Sequence, residues 1–201
     1  MTTKSELREE YIQTRKSLSD EFIKNAEKRV ISFVDSNKEK FKEKKIASYW
    51  SINNEMPTEN LTKTLIGMNS EVYLPKIIQN SKVMEFRKLD DYKNLKANIF
   101  NILEPLETQQ IEASDLDIIL LPCVCFDANG YRIGMGKGYY DHSLVNLENS
   151  NTELVIIAYD FQKVESCFEN KYDIKAHSCI CLLYTSPSPR DLSTSRMPSS
   201  A

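Results

Sequence analysis

Apolar positions between residues 20 and 34 return every three to four places. Phe22, Ile23, Ala26, Val30, Phe33 and Val34 share one side of a 3.6-residue period and predict an amphipathic helix from Ser19 or Asp20 to about Val34. An earlier helix is predicted over 3–18. Thr3 or Ser5 can cap it, and Glu6, Glu9 and Glu10 favour its N-terminal half. On it Lys4, Arg8, Tyr11 and Arg15 recur at helical spacing and share a face, whose plain reading is a solvated basic surface. After a lysine-rich polar connection, Asn37–Lys45, the pattern becomes β-like. Ile46–Trp50 is the first expected core strand, and Ser51–Pro57 the loop after it, carrying Glu55. Thr58 caps a helix to about Met68. Val72–Leu74 is a strand halted by Pro75, and Val83–Phe86 an edge strand.

From Asp90 to Glu112 the pattern is irregular. It then yields a continuous apolar run, Ile118–Leu121, of the kind found in a strand buried on both faces. Gly138–Leu147 is expected as a helix and Leu154–Ala158 as another buried strand. Short apolar strands alternating with amphipathic helices predict a three-layer α/β/α fold with a mostly parallel, Rossmann-like sheet. In such sheets ligands bind beyond the carboxyl ends of the strands. The loops after Ile46–Trp50, after Leu116–Leu121 and after Leu154–Ala158 are therefore the candidate functional segments. Residues 1–182 are read as one domain. Residues 183–201, rich in Ser and Pro without periodicity, are read as a disordered or non-native tail.

Composition narrows the function classes. The 201 residues are 41% apolar and 27% charged, with a net charge of −3. That argues against a nucleic-acid binder working by bulk positive potential. No apolar run reaches the roughly 18–20 residues that span a bilayer. The acidic N-terminus does not resemble a signal or transit peptide, so a cytoplasmic monomer is expected. Of five cysteines, Cys123/Cys125 and Cys179/Cys181 form C-x-C pairs. Zinc sites mostly use C-x₂₋₄-C spacing, so buried free thiols are the preferred reading.

Four of the five glycines, Gly130, Gly134, Gly136 and Gly138, fall within Leu121–Asp141. Glycines at alternating positions let a ligand approach the backbone closely, and Arg132 and Lys137 among them favour phosphate. Tyr139, Tyr140 and Asp141 follow, the last a possible Mg²⁺ ligand. The loop is not a Walker A sequence, because Lys137 precedes Gly138 rather than Ser or Thr. It is not the dinucleotide fingerprint, because its spacing is G-x-G-x-G and it lies late in the chain. No kinase H-R-D segment accompanies it. A phosphate cradle of another kind remains, beside the plainer possibility of a turn at Asp127–Gly130 with glycines easing close packing.

The stretch Phe126–Asp141, F-D-x-x-G-x-R-x-G-x-G-x-G-Y-Y-D, resembles the signature of the 5-formyltetrahydrofolate cyclo-ligase family. Lys4 and Arg8, Glu55, Leu74-Pro75, Glu104-Pro105 and Leu121-Pro122 stand in that family's order, and the resemblance spans roughly Lys4 to Ile180. It implies conversion of 5-formyltetrahydrofolate to 5,10-methenyltetrahydrofolate with MgATP. Carried over by position, it puts Lys4, Arg8, Arg132 and Gly134, Met135, Gly136, Lys137, Gly138, Tyr139 and Tyr140 on ATP, with Lys137 and Arg132 catalytic. Trp50, Glu55 and Met135–Tyr139 would meet the folate, and Asp141 and Asp173 would hold Mg²⁺. The chain departs from the family pattern at His142, Tyr172 and His177, where Arg, His and Asp are often found. Two other classes stay open: a non-catalytic nucleotide- or RNA-binding relative, and an enzyme phosphorylating another small carbonyl or amide.

Overall fold

The computed structural model describes residues 2–147, 150–182 and 195–196. Helix α1, Lys4–Lys16, opens on a capping box: Thr3 accepts from the Glu6 N–H while the Glu6 carboxylate takes the Thr3 N–H. Ser19 caps α2, Asp20–Ser36, through the Phe22 N–H. The lysine-rich connection holds a one-turn helix, α3 (Lys38–Phe41), because Phe41 buries itself against the core.

Strand β1, Lys45–Ala47, is shorter than expected. Beyond it the chain leaves the sheet, held by the Thr58 hydroxyl donating to the Tyr49 carbonyl and the Tyr49 hydroxyl donating to the Met56 carbonyl at 3.1 Å. Thr58 stands at the N-cap of α4, Glu59–Gly67, yet its side chain serves this contact instead of the helix. Strand β2, Glu71–Ile77, runs through Pro75. It pairs antiparallel with β3, Met84–Lys88. The Leu89 N–H donates to the Val72 carbonyl, which fixes the ladder phase and turns the Pro75 nitrogen away from β3. On the other side β1 has ended, so the proline costs no ladder bond.

The irregular stretch contains a hairpin, β4 (Leu95–Ala97) with β5 (Leu103–Pro105), and a short strand β6, Gln110–Ile111. Because β6 pairs with β3, the expected edge strand is covered. Then come β7, Ile118–Leu121, the small hairpin β8 (Cys125–Phe126) with β9 (Arg132–Ile133), and α5, Tyr139–Ser143. Helix α5 is half the predicted length. Strands β10, Glu153–Tyr159, and β11, Ser178–Leu182, follow, and β12, Ser195–Arg196, pairs antiparallel with β11. The rest of the Ser/Pro-rich tail lies outside the described residues.

The sheet order is β12-β11-β10-β7-β1-β2-β3-β6, and the five strands from β11 to β2 are mutually parallel. Side-chain alternation explains the continuous apolar runs. Ile118 and Leu120, like Val155 and Ile157, face a core built with α2 and α4. Ile119 and Leu121, like Leu154 and Ile156, face a second core closed by Leu144 after α5 and by Phe126. Helix α1 packs in a third, smaller cluster through Leu7 against Cys125, Ile133 and Cys167. Both faces of each central strand are thus buried, at ~1.5–3 kcal/mol per large aliphatic side chain. All five cysteines are free thiols, and four are buried. Among the described residues no helix is long and apolar enough to cross a membrane.

Candidate active site

A cleft of about 600 Å³ opens at the carboxyl ends of β1, β2 and β7. The expected site residues lie far apart in sequence, but the fold brings them to this one space. Lys4 and Arg8 come from α1, Trp50 and Glu55 from the loop after β1, and Arg132 from β9. Gly134, Met135, Gly136, Lys137, Gly138, Tyr139, Tyr140 and Asp141 form its glycine-rich wall, and Asp173 lies across from Lys4. The topology accounts for this. Parallel strands deliver their following loops to one edge, and α1 lies across β8, beside the glycine loop.

The glycine loop is tied to α1. Arg8 Nε donates to the Gly134 carbonyl at 2.8 Å. Gly136 has φ of +84°, and a Cβ there would lie 3.5 Å from the Arg8 guanidinium. Gly138 has φ of +72° at the start of α5. These two positions need glycine. Gly134 does not: its φ is ordinary and an added Cβ would meet nothing within 4 Å. Gly136→Ala is therefore expected to cost about 1–2 kcal/mol in urea unfolding, and Gly134→Ala less than about 0.5 kcal/mol. Equal costs would show that loop conformation is not what requires Gly136.

Three cations of the site each meet a carboxylate. Lys4 pairs with Asp173, whose Oδ2 also accepts the Asn170 N–H at 2.7 Å. Arg132, nearly buried, reaches Asp141 Oδ1 at 3.2 Å, donates to the Ile174 carbonyl at 3.1 Å and lies over the Tyr140 ring. Arg15, fully buried, lies 3.6 Å from Glu55 Oε1. Lys137 is exposed, with its Nζ 5.9 Å from the centre of the Phe100 ring.

Burial pushes Glu55 above the ordinary carboxylate range, and Arg15 together with the Ile52 N–H pulls it part of the way back. Burial also raises Tyr49 and Tyr140, with the Glu55 charge adding to both. Near neutral pH both phenols are protonated; the Tyr49 hydroxyl is already committed to the Met56 carbonyl.

A magnesium ion keeps several waters and takes one or two carboxylates plus phosphate oxygens. Asp141 and Asp173 fit that demand. Ile174, next to Asp173, donates its N–H to Asp141 at 3.3 Å, so the two carboxylates belong to one locally bonded unit. Among the described residues no group of three or more His, Cys, Asp or Glu side chains could hold a metal by itself. The residues present thus suit a phosphate-bound Mg²⁺ better than an all-protein metal centre.

Sequence reasoning missed part of the site. Asn98, Phe100, Ile102 and Glu104, from the β4–β5 hairpin, form one wall. Phe100 meets Tyr139 edge-on with centroids 6.3 Å apart, and Asn98 donates to Glu104 at 2.7 Å. The Glu104 carboxylate in turn takes the Ile77 N–H at 2.9 Å, pinning the hairpin to β2. The Glu104-Pro105 landmark pointed to this place, but local pattern gave no reason to put it beside the glycine loop. Arg15, expected on a solvated face, is buried; the helical spacing that groups it with Lys4 and Arg8 is the available signal. His142 and His177 are exposed.

Residues 1–180 match the model of the 5-formyltetrahydrofolate cyclo-ligase family. The chain is 38% identical over 135 residues to 5-formyltetrahydrofolate cyclo-ligase of Haemophilus influenzae, covering 65% of this chain and 72% of that one. To the Escherichia coli K12 protein of the same name it is 33% identical over 132 residues, covering 64% and 72%. The NMR structure of 5,10-methenyltetrahydrofolate synthetase from Aquifex aeolicus superposes with a TM-score of 0.80 at 30% identity, covering 98% of this chain and 94% of that one. The Mycoplasma pneumoniae 5,10-methenyltetrahydrofolate synthetase gives 0.69 at 26% identity, over 89% and 98%.

Proposed function

The chain belongs to the 5-formyltetrahydrofolate cyclo-ligase family, and on that premise we propose that this enzyme converts 5-formyltetrahydrofolate to 5,10-methenyltetrahydrofolate with MgATP, releasing ADP and phosphate. One observation carries the reading: a single cleft has a cationic, glycine-lined end and an end formed by Trp50 and the buried Glu55. A polyanion suits the first and a flat heterocycle with N–H donors the second. The volume of about 600 Å³ lies within the usual span of ligand sites.

In this reading the formyl oxygen attacks the γ-phosphorus and the bond to ADP breaks. N10 then attacks the formyl carbon, the carbon–oxygen bond to phosphate breaks, and N10 loses its proton. No protein nucleophile takes part, so catalysis is alignment and charge stabilisation. Lys4, Arg8 and the Gly134–Tyr140 loop hold the triphosphate. Lys137 meets the transferred group, and Arg132 fixes the loop and Asp141 behind it. Glu55 accepts N–H donors of the pterin beside Trp50. Asp141 and Asp173 would hold Mg²⁺, which when bound would supply charge shielding for the phosphates.

The test is direct. Purified protein given 5-formyltetrahydrofolate and MgATP is expected to form the methenyl product by absorbance, with one ADP per product. A folded sample that yields none overturns the reading. ADP release with some other carbonyl or amide compound, and none with the folate, would move the activity to another substrate.

A further inference from the structure

Arg15 is the bulkiest of the fully buried side chains among the described residues. It does not line the cleft; it stands behind it. Its NH1 donates to the Cys123 carbonyl at 3.3 Å and lies 3.6 Å from Glu55. Its NH2 reaches the Met135 sulfur at 3.8 Å, and its Nε has no hydrogen-bond partner. Five N–H donors are thus served by one carbonyl, one sulfur and one long ion pair. A methionine or leucine would fill the same space without the cost of burying a charge. Packing does not explain an arginine here, but its three neighbours do. Glu55 belongs to the loop after β1, Cys123 to the end of β7, and Met135 to the glycine loop. A fourth tie runs from Asn54 Nδ2 to the Arg15 carbonyl at 2.9 Å, with Asn53 and Asn54 in left-handed backbone that turns the loop toward α1.

We propose that Arg15 is a positioning residue for the ring-closing reaction, holding Glu55 ionised and aimed into the folate end of the cleft while tying that end to the glycine loop. This rests on the functional reading above. The groups facing Glu55 are Arg15 from α1, Tyr49 after β1, Cys123 after β7, Tyr140 on α5 and Tyr159 on β10. Burial raises the thiol and all three phenols, so at neutral pH they are uncharged and Arg15 is the charged member of the set.

The experiment has two readouts. Carbon-13 NMR of the glutamate carboxyls follows the titration of Glu55, and the pH profile of kcat/KM for 5-formyltetrahydrofolate follows its use. Arg15→Met is expected to move the Glu55 titration upward by about one pH unit or more. It is expected to raise the KM for the folate about ten-fold at pH 7, with the acid limb moving by the same amount as the titration. Arg15→Lys, which keeps the charge, brings the titration back toward the wild-type position. In the Glu55→Gln background, Arg15→Met is expected to change KM by less than about three-fold, because its target is gone. A folded Arg15→Met protein whose titration and acid limb match wild type overturns the proposal. Should that variant not fold, Arg15→Lys compared in the wild-type and Glu55→Gln backgrounds decides, and an equal loss in both overturns it. Absence of product from the wild-type chain would defeat the functional reading instead, leaving the carboxyl titration to judge Arg15.

Discussion

Lys137→Ala is expected to lower kcat between about ten-fold and a thousand-fold, with the melting curve unchanged. The two halves of that expectation have separate physical sources. Lys137 is exposed, so its removal sacrifices a cation–π contact with Phe100, worth ~0.5–1 kcal/mol at an exposed site, and little else of the fold. In the proposed reaction its value is greater, because a cation beside a transferring phosphoryl group would meet charge that is largest in the transition state. Removing one preorganised donor of this sort costs ~2.7–4 kcal/mol in closed sites. The cleft is open on the Lys137 side, which softens the lower bound to ten-fold. Arg at this position keeps the charge as a planar fork and should recover part of the rate. The check is steady-state cyclisation at saturating folate and MgATP beside a thermal melt. A kcat within two-fold of wild type would take Lys137 out of the mechanism.

Why the glycine loop was readable from sequence and the wall facing it was not is a matter of range. Phe126–Asp141 holds its constraints locally. Gly136 and Gly138 are dictated by their own backbone angles, and Arg132 and Asp141 meet within nine positions. The central strands were equally legible, because burial on two faces forces every position of Ile118–Leu121 to be apolar. The β4–β5 hairpin has no such signature. Its strands are only three residues long, too short to show a period, and its shape depends on Asn98 capping its own turn and on Glu104 reaching Ile77. Pro75 misled for a related reason, since whether proline stops a strand depends on neighbours that end elsewhere in the chain. Arg15 is the sharpest case. Period alone grouped it with Lys4 and Arg8, but α1 leaves the surface along its length. Lys4 is partly exposed and Arg15 has no exposure, so one helical stripe lines the cleft at its start and stands behind Glu55 at its close.

Glu55→Gln carries the second large effect, and it should appear in stability and in kinetics with different pH dependences. Glutamine keeps the shape of the side chain and removes its charge, leaving Arg15 buried beside a neutral group. Breaking a well-formed buried pair by removing one partner costs ~3–5 kcal/mol, but burial outweighs this loose pair at 3.6 Å, so exchanging the carboxylate for a neutral isostere is expected to cost clearly less than that range. The pH dependence has a defined sign. Glu55 in the folded protein titrates above its ordinary value, chiefly through burial. Between the unfolded and folded values the native state binds the extra proton, so this group's contribution to stability falls as pH rises across that window. The window starts near the usual glutamate pKa of ~4.3 and ends at the raised folded value. In Glu55→Gln that slope is absent, so the stability gap to wild type is expected to narrow as pH rises through the window. Kinetics should run the other way. The ionised carboxylate is the form that accepts pterin N–H donors, so wild-type kcat/KM for the folate rises with pH across the same window while Glu55→Gln stays flat. At pH 7 its KM for 5-formyltetrahydrofolate is expected to be raised about ten- to a hundred-fold, with the KM for ATP changed less than about three-fold. Urea unfolding at several pH values and paired KM measurements check this. Equal rises in both KM values would mean that Glu55 supports the whole cleft rather than its folate end.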